Sequence, residues 1–145
     1  MTTKEMQENV VESMKEWQKV ENASAASTGK IIENTDNPVV RLIMEIIQHD
    51  SNTHYRVEEF VSDSMGDKMV SLTPEEMGDI WMMIEQHIEL EKKMVTAAER
   101  LLESMRGKFM VIPQYLIEYL LEDEKKHSNM LDRLQKIKIQ MYPYG

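Results

Sequence analysis

The 145-residue sequence predicts an all-α fold, an antiparallel up-down bundle of four long helices in a single domain spanning residues 1–145. Three observations carry this. Only 5 Gly and 4 Pro interrupt the chain, too few for a turn-rich β-sandwich. Apolar residues recur at three- and four-residue steps through four separate stretches, the period of a helix face. Helix start signals at Thr2, at Asn37-Pro38 and at Thr73-Pro74 stand ahead of the first three stretches. Short connections between long helices make sequence neighbours antiparallel.

The first helix is expected over roughly 3–33. Thr2 and Glu5 have capping-box spacing, and Met6, Val10, Met14, Trp17, Glu21, Ser24 and Thr28 share a stripe. Gly29 weakens its last turns. Asn37 as N-cap and Pro38 in the first helical position open the second helix, expected over 38–65, with the stripe Ile43, Ile47, Asp50, His54, Val57 and Val61. Gly66-Asp67-Lys68 ends it. Thr73-Pro74-Glu75-Glu76 opens the third, over 74–106, with Ile80, Ile84, His87, Glu91, Met94, Ala98, Leu101 and Met105 in line and Gly107 as its stop. The apolar connection Phe109-Met110-Val111-Ile112 leads to Pro113 and a fourth helix over 113–139, carrying Leu116, Leu120, Glu124, His127, Leu131 and Leu134. The tail from Met141 to Gly145 does not continue it. The 14 Met residues read as adaptable core filler.

Composition narrows function. At 41% hydrophobic and 30% charged, the chain buries a core and is not a disordered tract. A formal net charge of −9 argues against a nucleic-acid partner, because phosphate binding needs a basic face. No run reaches the roughly 18 apolar residues of a membrane span, and the charged N-terminus lacks the apolar stretch of a signal peptide, so the expected location is cytoplasmic. The absence of Cys removes thiolate ligands and thiol nucleophiles.

Chemistry enters where polar residues fall on the apolar stripes. Asp50 with His54, His87 with Glu91, and Glu124 with His127 are spaced to share a helix face one turn apart, and Glu21 falls on the stripe of the first helix. Glu91 and Glu124 flank the turn near Lys108 at similar sequence distances, as Glu21 and His54 flank the turn near Asp36, which places these groups at similar heights. Charges in a bundle core are stabilised by pairing or by a bound cation. A metal is the economical expectation; His–carboxylate hydrogen bonds without metal are the alternative. His49 lies off the His54 stripe.

An internal repeat sharpens this. Glu21 aligns with Glu91, Trp17 with His87, Met14 with Ile84 and Val10 with Ile80. Asp50 to His54 aligns with Asp123 to His127, and Ile43, Ile47 and Val61 with Leu116, Leu120 and Leu134. The chain reads as two copies of a helical hairpin. On the run from His87 to Glu91 and on Glu124-Lys-Lys-His127, the sequence resembles the ferritin-like superfamily, its rubrerythrin-like members above all. That family carries Glu on one helix, Glu-x-x-His on the next, and the same again in the second pair.

The resemblance implies Glu91, Glu124 and His127 as metal ligands in the second half, and Glu21 and His54 as their counterparts in the first. Ser51 stands where the first Glu-x-x-His has its Glu and supplies no carboxylate. Either Asp50 and His87 compensate in an irregular two-metal site, or one metal position is lost. The implied cofactor is iron, as one ion or two, with manganese or zinc compatible with the same donors. The implied activity is ferroxidase or peroxide reduction, fed by a separate electron-donor protein, in a homodimer or larger homo-oligomer. Two rival readings stand beside it. One is a non-catalytic helical bundle for protein–protein contacts through Trp17, Trp81, Tyr55 and Phe109–Ile112. The other is hemerythrin-like oxygen binding, echoed by the His87–Glu91 and His127–Asp132 spacings but lacking a His-x-x-x-His.

Overall fold

The structure, a computed structural model, describes residues 1–66 and 74–141, apart from the side chains of 74–77, 79 and 141. The described residues are all helical and turn, with no strand: α1 (Thr3–Glu33), α2 (Pro38–Ser64), α3 (Pro74–Ser104) and α4 (Val111–Met141). They divide into two compact units, one built from α1 and α2 and the other from α3 and α4.

In the first unit, α1 starts as its sequence dictates. Glu5 N donates to Thr2 Oγ1 at 3.1 Å, and Thr2 N donates to Glu5 Oε2 at 2.6 Å, closing the capping box. Gly29 does not end the helix. A Cβ there would stand 3.2 Å from Gln48 Nε2, and the space lets Gln48 reach across to donate to Ala25 O at 3.1 Å. At the turn, Arg41 Nη1 donates to Ile32 O at 2.7 Å, a carbonyl that the helix end leaves open, and to Thr35 O of the turn at 3.1 Å. Asn37 Oδ1 accepts from Val39 N and Val40 N, and Pro38 occupies the first helical position.

Four cross-helix bonds set the direction of the pair. Arg41 meets Ile32, Gln48 meets Ala25, Ser51 meets Ser24, and Tyr55 meets Gln18. Partners on α1 descend as those on α2 rise, so the two helices run antiparallel. The seam differs from the stripe expected on α2. Ser51 and Glu58 are buried, while Ile47, Val57 and His54 are exposed. Small Ser24 and Ser51 side chains, bonded to each other at 2.9 Å, allow close approach of the helices. That turns α2 so that its apolar row flanks the seam. On α1, Met14 and Thr28 are buried and Trp17 is 56% exposed.

In the second unit the start signal over Thr73–Glu76 lies outside the described residues, as do Asp67-Lys68 and the tail beyond Met141. Trp81, Glu91 and Met105 line the seam side of α3, while Ile80, Met94 and Leu101 are exposed. Lys138 Nζ sits 4.5 Å above the Trp81 ring, a cation–π contact that ties the end of α4 to the start of α3. Trp81 faces Lys138, Glu91 faces His127 and Glu99 faces Lys125, so these helices also run antiparallel. Gly107, at φ 76°, turns the chain after α3. α4 begins at Val111, ahead of Pro113, with Gln114 N bonded to Met110 O at 2.9 Å; Pro fits the first turn because no donor is required there. Before it, Phe109 is 100% exposed.

Candidate metal centre

α3 and α4 bring together Glu91, Glu124 and His127. Each offers a ligand atom, and these atoms lie within 4.8 Å of one another; among the described residues this is the one trio of such side chains so gathered. Glu124 and His127 are one turn apart on α4 and face α3, where Glu91 is 7% exposed.

Two imidazoles frame Glu91. His87 Nε2 is 2.8 Å from Glu91 Oε1, and His127 Nδ1 is 3.6 Å from Glu91 Oε2 and 3.7 Å from Glu124 Oε2. The far edge of the His127 ring, Nε2, lies 3.4 Å from Asp123 Oδ2, and Asp123 also pairs with Lys126 at 2.8 Å. His127 therefore turns one nitrogen to the two glutamates and has a carboxylate behind the other. That is the arrangement that fixes ring orientation and tautomer at metal sites.

The electrostatics divide the two glutamates. A hydrogen bond from Glu124 holds Glu91 below the usual carboxylate range, aided by His87 and His127 against the opposing effect of burial. Glu124 is pushed up by the same hydrogen bond to Glu91, by burial and by the Glu91 charge. Of the two, Glu91 loses its proton first and Glu124 holds its own to higher pH. Glu91 Oε2 is buried, and no backbone N–H, amide, imidazole or Ser, Thr or Tyr hydroxyl is hydrogen-bonded to it. A buried carboxylate oxygen in that state is a preformed acceptor for a proton or a cation.

The first hairpin assembles a second, more open group. His54 Nδ1 is 3.3 Å from Glu21 Oε1. Glu58, one turn beyond His54, is 7% exposed and faces Glu21; burial first, and then the Glu21 charge, pushes its carboxyl above the usual range. Glu58 Oε2 is buried with none of these groups hydrogen-bonded to it either. Ser51, at the position of the missing carboxylate, bonds Ser24 instead. Asp50 is half-buried and makes no hydrogen bond or ion pair with Glu21 or His54. His49 is exposed, its carbonyl accepting from Thr53 Oγ1 at 3.2 Å.

Sequence reasoning thus named Glu21, Asp50, His54, His87, Glu91, Glu124 and His127, and all but Asp50 lie in one or other of these clusters. It did not single out Glu58 or Asp123. The signal for Glu58 was the His54-x-x-x-Glu58 spacing, and that for Asp123 was its place in the aligned Asp123–His127 repeat. Comparison with family models, with curated proteins and with solved structures gives no match for this chain.

Proposed function

We propose that this protein binds a divalent transition-metal ion through Glu91, Glu124 and His127. The observation that carries the proposal is the buried Oε2 of Glu91 within a trio whose ligand atoms lie within 4.8 Å of one another. The donor set fits: two carboxylates and an imidazole suit iron, manganese or zinc, and leave further positions for water or a small substrate. In this reading His87 holds Glu91 Oε1 and leaves Oε2 for the ion. Asp123 orients the His127 ring. Glu124 serves the ion as a carboxylate, since ligands bind metals deprotonated.

Iron at such a site supplies electron exchange with O2 or peroxide, which would make the protein a ferroxidase or a peroxide-reducing protein. The internal repeat and Glu124-x-x-His127 support reading the chain as a ferritin-like, antiparallel bundle of two repeated hairpins, and that family reading carries with it a homo-oligomeric, cytoplasmic protein. Among the described residues no helix is long and apolar enough to cross a membrane. A chain without Cys carries no thiolate iron centre, so electrons would come from a separate donor protein.

The test is elemental analysis after anaerobic Fe(II) loading and removal of loose metal, with wild type beside Glu124→Ala. Bound iron in wild type and one ion per chain fewer in the variant is the expected result. Iron content unchanged in Glu124→Ala, or iron absent from both, refutes the site.

A second reading has its own observation. Phe109 is fully exposed and is followed by exposed Met110, Val111 and Ile112, an apolar run suited to a protein partner. It predicts that Phe109→Ser changes the oligomeric or complexed state in size-exclusion chromatography with metal content unchanged.

A further inference from the structure

The apolar run at the closed end of the second hairpin has an electrostatic setting of its own. Met105 is the last buried residue of α3; Gly107 then turns the chain, and Phe109 stands 100% exposed at the tip. Val111, Ile112 and Tyr115 extend the apolar surface over the first turn of α4, all exposed, with Tyr115 one turn from each of the other two. Residues 104–117 contain Arg106 and Lys108 and no acid, in a chain whose formal net charge is −9. Both cations are exposed. Arg106 meets Glu103 at 2.9 Å, an exposed pair of the kind that contributes little and yields readily to another anion.

An exposed apolar patch marks a protein or a membrane contact, and shape and charge here favour the membrane. A projecting tip meets a protein only through a matching cavity, whereas acyl chains close around whatever enters them. From Val111 to Tyr115 the chain advances about 6 Å along α4, within the roughly 5–10 Å that apolar groups reach into a bilayer interface. Tyr115, at the upper edge, has the apolar ring and polar hydroxyl suited to that boundary. Part of the turn enters with its donors already satisfied, since Lys108 N donates to Met105 O at 3.0 Å and Met110 N to Lys108 O at 3.1 Å. The next acid on α4, Glu118, lies about 10 Å beyond Val111 along the helix, near the Debye length at physiological ionic strength. The acidic remainder of the chain is therefore largely screened from a surface that touches the tip.

We infer that the tip of the second hairpin docks on anionic phospholipid bilayers, with Phe109, Val111 and Ile112 entering the acyl boundary and Arg106 and Lys108 on the headgroups. The contact is peripheral, since among the described residues no helix is long and apolar enough to cross a membrane. It requires no metal and stands apart from the Glu91 centre.

The test is flotation of the full-length protein with vesicles of phosphatidylcholine alone and of phosphatidylcholine with phosphatidylglycerol in equal parts. Circular dichroism verifies the helix content of each variant. Binding to the mixed vesicles, weakened by added salt and much weaker on phosphatidylcholine alone, is the expected result. Phe109→Ser should weaken it about 10- to 100-fold, the loss of one buried Phe side chain. The double variant Arg106→Gln, Lys108→Gln should weaken it about 30-fold, from roughly fivefold per cation at an anionic surface. Phe109→Trp should retain binding and add fluorescence that brominated acyl chains quench, beyond any quenching of Trp17 and Trp81 in wild type. No binding to the mixed vesicles, equal binding to both kinds, or binding unchanged in Phe109→Ser or in the double variant would overturn the proposal. So would a vesicle-bound Phe109→Trp protein with no added quenching. A complex seen in chromatography without vesicles and lost in Phe109→Ser, with no vesicle binding by wild type, would overturn lipid docking and leave the loop to a protein partner.

Discussion

His87 Nε2 lies 2.8 Å from Oε1 of Glu91, one turn away on α3, while Oε2 of the same carboxylate is buried without such a partner. The imidazole holds one oxygen and so aims the other between Glu124 and His127. His87 is in this account a positioning residue. His87→Ala is expected to weaken metal binding by about 10- to 100-fold, the range seen when outer partners of ligands are removed, without lowering the number of ions bound at saturation. His87→Gln, which keeps a donor, should recover part of the affinity. An unchanged dissociation constant for Zn(II) in His87→Ala would show that Glu91 needs no such support.

Glu58 gives the metal-free protein a pH signature. Its folded-state pKa is raised by burial above the ordinary value of 4.5. A raised carboxyl contributes stability that is present at acid pH and lost as pH rises through the folded pKa. Glu58→Gln is neutral at every pH and escapes that loss. With metal removed, the variant should therefore be more stable than wild type above the folded pKa, by about 1–3 kcal/mol, the usual effect of an unsatisfied buried polar group. Below 4.5 the difference should vanish. Denaturant unfolding at acid and neutral pH measures it, and a variant less stable than wild type at neutral pH would contradict the account.

The close seam of the first hairpin rests on two serines. Ser51→Leu inserts bulk where Ser24 and Ser51 meet at 2.9 Å and should destabilise the protein by about 1–3 kcal/mol through overpacking. Urea unfolding measures it. Stability at or above wild type would mean that the helices separate there without loss.

Asn37 caps α2 by accepting from both Val39 N and Val40 N. Asn37→Ala leaves those donors to water and should lower stability by about 1 kcal/mol. A midpoint unchanged in urea would show that the turn, rather than the cap, sets the start of the helix.

Much of this architecture was legible because helix ends have local causes. The Thr2–Glu5 box and the Asn37-Pro38 start each involve residues within one turn, and α1 and α2 begin where those signals stand. Glu91, Glu124 and His127 were legible for a related reason: their spacings put them on one face, and that face is turned toward the partner helix. The seam of α2 was not legible. Ile43, Ile47, Val57 and Val61 make the more regular apolar row, yet a two-helix seam closes most tightly on its small residues, Ser24 and Ser51. That rotation buries Glu58 and exposes Val57 beside it. Hydrophobic periodicity carries no mark of a seam built from serine, threonine and glutamate. The helix runs on past Gly29 to Glu33, and the gap that residue leaves is filled by Gln48 from the other helix.

The most direct test of the central claim is calorimetric titration of Zn(II) into the metal-free full-length protein and into Glu91→Gln. The account predicts a saturable ion in the wild type that disappears from the variant, because the buried Oε2 of Glu91 is the ligand around which the site is built. A Glu91→Gln protein that binds Zn(II) with the wild-type affinity and number would contradict it.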